Sequence, residues 1–195
     1  MTNKAGLVCL GACLGIFVSV LPPALSAPHV IAREVFDAPS TIAVSSSAIP
    51  AGGAIDVRYS DYGQGISPPL QWASLPSGTR SVVLVMEDPD AGSPPFVHWM
   101  MINLPPSPSA LPELHGQSVR EGSNSTGKRG YFGPRPPVGD PPHHYHFQLF
   151  ALDDKLDLPA GFSRDALLQA MHGHVLAQGE LVGLFQAPQG AGSRH

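Results

Sequence analysis

The chain is poor in cysteine and in charge. Of its 195 residues only two are cysteine, and 13% are Asp, Glu, Lys or Arg. Both cysteines, Cys9 and Cys13, lie near the amino terminus, so the rest of the chain has no thiol for a disulfide or for thiolate chemistry. The 11 Lys and Arg residues are outnumbered by 15 Asp and Glu residues. Because no basic stripe is present to neutralise phosphates along a duplex, a nucleic-acid partner is not expected.

Long apolar runs are also scarce, and the one that stands out lies at the amino terminus. It extends from Leu7 to Val20 after Lys4, and two prolines and small residues ending at Ala27 follow it. This pattern predicts a secretory signal peptide over residues 1–27, although an uncleaved membrane anchor is the alternative. We therefore expect an exported protein, periplasmic or secreted, with one domain over residues 28–195. Loss of Lys4 with the signal peptide gives that domain a net charge of −5.

The remaining sequence predicts short strands separated by turns rich in Gly, Pro and Ser. The run SVVLVM at Ser81–Met86 does not alternate, which is typical of a strand buried on both faces, and three carboxylates follow it at Glu87, Asp88 and Asp90. A strand is also predicted for 98–104, with His98, Met100 and Ile102 on one face. Further strands are predicted at Thr41–Val44, Ala54–Tyr59 and Glu180–Phe185. The segments 60–72 and 105–112 are predicted to be loops.

One clear helix is predicted, from Ser163 to His172. Ser163 is a suitable N-cap, Asp165 suits the first turn, and Gly173 ends the helix. Residues 174–178 are expected to add a helical turn, and the Pro/Gly-rich tail from 186 is expected to fray. This set of elements predicts a mainly β domain, an antiparallel β-sandwich with short C-terminal helices.

The stretch Tyr131–Leu152 carries the most chemistry. Its first half is a loop rich in Gly and Pro, and its second half alternates as a strand. Period two places one set of side chains toward the core: His143, Tyr145, Phe147 and Leu149. The other set faces solvent or a neighbouring element: His144, His146, Gln148 and Phe150. A protonatable imidazole and a phenol at the mouth of a strand suit an oxyanion, but they could equally cap the end of a sandwich.

The sequence does not support two enzyme classes or a nucleotide-binding motif. Four histidines, His98, His143, His144 and His146, could supply zinc ligands, but strand alternation separates them and no HExxH spacing occurs. No GxSxG elbow marks a catalytic serine. The segment GSNSTGKR resembles a phosphate-binding loop, but Arg129 stands where Ser or Thr must hold the metal. We therefore expect no catalytic residues, no metal and no cofactor.

Several motifs, in order, resemble the phosphatidylethanolamine-binding protein family, in its bacterial, Raf kinase inhibitor-like branch. They are ISPPLQW, VMEDPDAGSPPFVHWMMINLP, REGSNSTGKRGYFGPRPPVGDPPHHYHFQLFALDDKLDL and GHVLAQGELVGLF, and the resemblance extends over about residues 42–187. The resemblance implies a large central sheet packed on a smaller one, with an anion pocket at one end. It implies that the pocket residues are Asp88, His98, Gly133, Pro136, His143 and Tyr145. Tyr62-Gly63-Gln64 departs from the Cys-Asp-Gly of many relatives.

The resemblance implies a non-catalytic protein that binds a phosphate-containing small molecule or a phospholipid head group. The alternative is an inhibitor or regulator that docks on a protease, a kinase or a cell-surface partner. In either case Asp88 is expected to orient an imidazole, while His98, His143 and Tyr145 donate to the anion. On that hypothesis, affinity for phosphate rises as the histidines become protonated.

Overall fold

The computed structural model describes residues 30–113 and 120–190, and the predicted signal peptide lies outside these ranges. Seven strands form two antiparallel sheets. The large sheet has the order β4-β3-β6-β7, with β3 at Ser81–Asp88, β4 at Phe96–Leu104, β6 at His143–Leu152 and β7 at Val175–Phe185. The small sheet has the order β1-β2-β5, with β1 at Ala43–Ser45, β2 at Leu70–Ala73 and β5 at Ala110–Leu111. The prediction of a mainly antiparallel β fold is confirmed.

The central strand β3 is buried over all eight of its residues. Val82, Leu84 and Met86 pack in the core between the two sheets. Val83 and Val85 pack on the opposite face, in a second core beneath the helix. A strand with two buried faces gains nothing from polar residues on either one, which explains why SVVLVM does not alternate.

The predicted alternation of β6 is also confirmed. Tyr145, Phe147 and Leu149 are fully buried on the side of the small sheet. On the other face, His144 is exposed, whereas Gln148 is buried under the amino-terminal segment and accepts a hydrogen bond from the Arg33 amide. The second face therefore lies under a neighbouring element for most of its length.

The single α-helix of the described ranges, α1, spans Arg164–Met171. The Ser163 hydroxyl accepts a hydrogen bond from the Ala166 amide at 3.2 Å, as the N-cap prediction requires. Gly173 follows with a φ of +82°, a conformation that costs glycine no steric strain. The predicted helical turn over 174–178 is wrong, because β7 begins at Val175 and pairs there with β6.

Three further sequence predictions are wrong. The expected strand Ala54–Tyr59 is a single bridge at Ala54 and then a 3-10 turn, Val57–Tyr59, since the Asp56 carboxylate caps the Arg58 amide and favours a turn. The expected loops 60–72 and 105–112 each contain a strand of the small sheet, β2 and β5. The tail is held at its start, where the Gln186 side chain donates to the Asp140 carbonyl at 2.8 Å.

The first of the three carboxylates after SVVLVM has a structural role. Glu87 is fully buried on the helix side of the large sheet, where it forms an ion pair with Arg164 at the start of α1. It also accepts hydrogen bonds from the Ala32 amide at 2.6 Å and from the Gln148 side chain at 2.8 Å. Glu87 therefore joins the amino-terminal segment and α1 to the sheet.

Candidate functional site

A β-bulge directs His98 toward the end of the large sheet. The pairing of β3 with β4 shifts register beside this residue, from Met86↔Trp99 to Glu87↔Val97. Met100 and Ile102 lie in the helix-side core, but the His98 ring lies edge-on to Tyr145 on the other side, with 5.2 Å between ring centroids. The prediction that His98, Met100 and Ile102 share a face is therefore wrong, because one extra residue in a strand reverses the alternation.

His98 lines a pocket of about 400 Å³ where β3 ends and β4 and β6 begin. Four of the six predicted site residues line it: Asp88, His98, Pro136 and His143. Several further residues line the pocket although no ligand-contacting role was predicted for them, including Asp90, Thr126, Arg135 and Asp140. The pocket forms here because three features meet at one end of the large sheet: the turn that begins at Asp88, the bulge at His98 and the proline-rich loop.

Asp88 holds His143 in a fixed orientation. One carboxylate oxygen lies 2.8 Å from Nδ1 of His143, and both side chains are buried. The other oxygen accepts from the amides of Asp90 and Ala91, at 2.9 and 3.2 Å, and so caps the 3-10 turn Pro89–Ala91. With both oxygens engaged by the protein, Asp88 is placed to orient the imidazole.

His98 is fixed by a backbone carbonyl. Its Nδ1 lies 2.7 Å from the carbonyl oxygen of Phe132, and because a carbonyl can only accept, this nitrogen carries the proton. The side chain is 3% exposed, and burial lowers the pKa of His98 to about 4. In the neutral ring Nε2 is a hydrogen-bond acceptor, and it has no partner among the described residues. His98 therefore offers an acceptor at neutral pH, and not the donor that the sequence analysis expects.

The remaining two predicted residues, Tyr145 and Gly133, lie behind the pocket. The Tyr145 hydroxyl is enclosed and has no hydrogen-bond partner within the described ranges, and burial together with the nearby Asp88 carboxylate raises its pKa. Its ring supports both imidazoles, edge-on to His98 and stacked on His143 at 6.5 Å. A Cβ on Gly133 would lie 2.6 Å from the Tyr59 carbonyl oxygen, so glycine is needed for this close backbone approach.

The proline-rich loop is clamped by the segment Tyr59–Tyr62, a role that the sequence analysis missed. The Tyr62 hydroxyl donates to the Pro136 carbonyl at 2.7 Å, and the Asp61 amide donates to the Pro134 carbonyl at 3.1 Å. The Asp61 carboxylate also forms an ion pair with Arg135. These partners are more than seventy positions apart in sequence, so no local sequence pattern predicts the contacts between them.

The pocket carries more negative than positive charge. Asp90 accepts from the amide and from Nδ1 of His144, and although burial opposes it, these bonds lower the pKa of Asp90. The Asp140 carboxylate, 46% exposed, lies 3.7 Å from Nε2 of His143. Among the described residues that line the pocket, Arg135 is the one permanent cation.

The other histidines that the structure describes lie outside the pocket lining. His144 pairs with Asp90, and His146 pairs with Glu180 at 3.1 Å. Within residues 30–113 and 120–190, no group of three or more His, Cys, Asp or Glu side chains is arranged to hold a metal ion. Nor does any helix in those ranges have the length and apolar character needed to cross a bilayer.

Comparison with known proteins agrees with this architecture. The family model described as "Phosphatidylethanolamine-binding protein" matches residues 45–186. A UPF0098 protein of Methanothermobacter thermautotrophicus is 42% identical over 140 residues, which cover 69% of this chain and 91% of the relative. LppC of Mycobacterium tuberculosis, which is named as a lipoprotein, is 36% identical over 148 residues, covering 74% of this chain and 72% of LppC.

Two crystal structures are similar over the same region. The phosphatidylethanolamine-binding protein homolog CT736 of Chlamydia trachomatis has a TM-score of 0.71 and 37% identity, over 76% of this chain and 99% of that one. YbcL of E. coli has a TM-score of 0.69 and 28% identity, over 76% of this chain and 100% of that one. The family match spans most of the chain and includes the pocket segments, and the chain therefore belongs to the phosphatidylethanolamine-binding protein family.

Proposed function

We propose that this protein binds a phosphate group in the pocket formed by His98, His143 and Arg135, without catalysing a reaction. The observation that carries the proposal is that the buried side chain of His98 lines the pocket while its Nε2 has no hydrogen-bond partner among the described residues. A polar atom at a pocket without a protein partner is available to a ligand or to water. The volume of about 400 Å³ lies at the small end of the range for ligand pockets, roughly 300–1,000 Å³.

Binding without catalysis is supported by the absence of an activated nucleophile. In the described part of the chain, neither a serine nor a cysteine lines the pocket. Thr126 does line it, but its hydroxyl donates to the Asn124 side chain at 2.6 Å. The Asp88–His143 pair thus has the geometry of a base and its orienting carboxylate, without a hydroxyl or thiol for the base to deprotonate.

We further propose that the protein acts outside the cytoplasm. The predicted signal peptide over residues 1–27 supports this, and so does the lipoprotein name of the relative LppC. The family name supports a phosphate ligand, since phosphatidylethanolamine carries one.

A thermal-shift comparison tests the binding proposal. Millimolar phosphoethanolamine at about pH 6 is expected to raise the unfolding midpoint, because a ligand at 100 times its Kd stabilises the folded state by about 2.7 kcal/mol. The double variant His98→Ala/His143→Ala is expected to lose the shift. The control His146→Ala/His174→Ala removes two histidines outside the pocket lining and should keep it. No shift in the wild type, or an equal shift in both double variants, would contradict the proposal.

A second candidate is a regulator that docks on another protein beside the pocket. Val138, at the tip of the proline-rich loop, is 53% exposed, and it neighbours Pro137 on the pocket rim. An exposed apolar residue on a clamped loop is a suitable anchor for a partner. Capture of a partner from the exported fraction by wild type but not by Val138→Asp would favour this candidate. Capture that depends instead on His98 and His143 would favour the pocket.

A further inference from the structure

The pocket is lined mainly by hydrogen-bond acceptors. The carboxylates of Asp90 and Asp140 line it, and an ionised carboxylate can only accept. Nε2 of neutral His98 is also an acceptor, since Nδ1 carries the proton toward Phe132. Between these groups lies His143, whose Nδ1 faces the Asp88 carboxylate and whose Nε2 lies 3.7 Å from the Asp140 carboxylate.

Donors at the same site are largely engaged by the protein. The amides of Ala91 and His144 donate to the Asp88 and Asp90 carboxylates. The Thr126 hydroxyl donates to the Asn124 side chain, and Nη1 of Arg135 donates to Asp61, although the guanidinium keeps the positive charge that attracts an anion. A ligand that brings only acceptors would therefore place them against the carboxylates and would leave the His98 Nε2 without a donor.

The buried His98 makes this more than a cluster of acidic residues. Its side chain is 97% enclosed, lies between the rings of Phe96 and Phe132 at centroid distances of 4.7 and 5.7 Å, and borders the cavity. The charged or titratable groups around it are Asp88, His143 and Tyr145. An acceptor held this firmly is suited to a donor at a fixed position on the ligand.

We propose that the pocket selects oxyanions that retain a proton, and so binds phosphate in preference to sulfate, with Asp140 and Nε2 of His98 as the acceptors. Dihydrogen phosphate can donate to both of them, and hydrogen phosphate to one. The inference rests on the proposed function and specifies its ligand. Hydrogen phosphate keeps one P–OH throughout neutral pH. A phosphate monoester keeps its P–OH only below its second pKa of about 6. Sulfate has the shape and charge of hydrogen phosphate but no proton, so it would place its oxygens against acceptors.

Asp140 is the residue on which the preference can be tested without disturbing the core. It is 46% exposed, at the mouth of the pocket, and its side chain forms no hydrogen bond within 3.5 Å in the described residues. Asp140→Asn keeps the shape, removes the negative charge and adds an N–H donor. The matched control is Asp153→Asn, an exposed carboxylate that pairs with His174.

Isothermal titration calorimetry on the full chain at pH 7 is the test, with phosphate, sulfate and dimethyl phosphate as ligands. We expect phosphate to bind about ten- to a hundredfold more tightly than sulfate, the range for a hydrogen bond to a charged group. Dimethyl phosphate, a diester without P–OH, should resemble sulfate. Phosphoethanolamine should bind more tightly at pH 5.5 than at pH 7.5, which separates a monoester source from free phosphate, whose P–OH persists at both values.

Two variants test whether Asp140 accepts the hydrogen bond from P–OH. Asp140→Asn is expected to strengthen sulfate binding and to reduce the phosphate-to-sulfate ratio, whereas Asp153→Asn should leave the ratio unchanged. Equal binding of phosphate and sulfate by the wild type would overturn the inference and leave the proposed function standing. A ratio unaffected by Asp140→Asn would overturn the role of Asp140. If no phosphate compound binds, both the proposed function and the inference fail.

Discussion

Acidification is expected to destabilise the protein through His98 well before its carboxylates are protonated. The imidazole is buried, its Nδ1 donates to the Phe132 carbonyl, and burial lowers its pKa to about 4 from the 6.5 of an exposed histidine. In the unfolded chain the same ring takes up a proton near pH 6.5. Between these two values the unfolded state binds more protons, so the free energy of unfolding falls as the pH falls.

The size of the effect follows from the separation of the two pKa values. Each unit corresponds to about 1.4 kcal/mol, so the full loss, reached well below pH 4, approaches about 3.5 kcal/mol. At pH 5 the linkage relation gives a loss of about 2 kcal/mol relative to pH 7. Asp90 and Glu180 also have lowered pKa values, through hydrogen bonds from His144 and His146, but their contribution is lost only below the ordinary carboxylate pKa.

Urea unfolding followed by tryptophan fluorescence at pH 7, 6 and 5 measures this loss, since Trp72 and Trp99 are both buried. The variant His98→Gln can still donate to the Phe132 carbonyl but cannot titrate. It should be less stable at pH 7 and should show a much smaller decrease at pH 5. The control His172→Gln removes an exposed histidine and should keep the full decrease. A wild-type decrease under about 0.5 kcal/mol, or an equal decrease in His98→Gln, would refute the reasoning.

Three substitutions test the structural supports of the site. Ser163→Ala removes the cap of α1 and is expected to lower the free energy of unfolding by about 1 kcal/mol in urea, which Ser163→Asp should largely restore. Glu87→Ala leaves the Arg164 guanidinium without its buried partner, and the free energy of unfolding is expected to fall by on the order of 3 kcal/mol. A negligible decrease would show that the ion pair contributes little to stability. Gly133→Ala places a Cβ 2.6 Å from the Tyr59 carbonyl oxygen, so the proline-rich loop must shift and the affinity for phosphate should fall. An affinity that calorimetry finds unchanged would contradict this close approach of the two backbone segments.

The features that the sequence predicts well are those set by local or periodic patterns. The run Ser81–Met86 is a doubly buried strand, and the alternation from His143 to Leu149 identifies the core face of β6. Ser163 and Gly173 mark the ends of α1 because capping and left-handed conformations are decided by single residues. These two predicted strands place Asp88 at the end of β3 and His143 at the start of β6. Because β3 and β6 are antiparallel, both residues lie at the same end of the large sheet.

The features that the sequence does not predict are set by tertiary contacts. The bulge at His98 depends on the pairing of β4 with β3, and nothing in HWMMINL distinguishes a bulged strand from a regular one. β5 has only two residues, Ala110–Leu111, and is a strand only because β2 lies beside it. The neutral state of His98 depends on its burial and on a carbonyl 34 positions away.

The position of the proline-rich loop depends both on its local sequence and on tertiary contacts. Its prolines restrict the backbone, but restriction alone does not fix where the loop lies relative to His98 and His143. That position is set by Tyr62, whose hydroxyl holds the Pro136 carbonyl and whose ring contacts both Phe185 and the Arg135 guanidinium. A Cβ on the next residue, Gly63, would lie 2.0 Å from the Val57 carbonyl oxygen, so the tight turn that presents Tyr62 requires glycine there. Tyr62 and Gly63 therefore hold the proline-rich loop that forms one wall of the pocket, although neither residue lines the pocket itself.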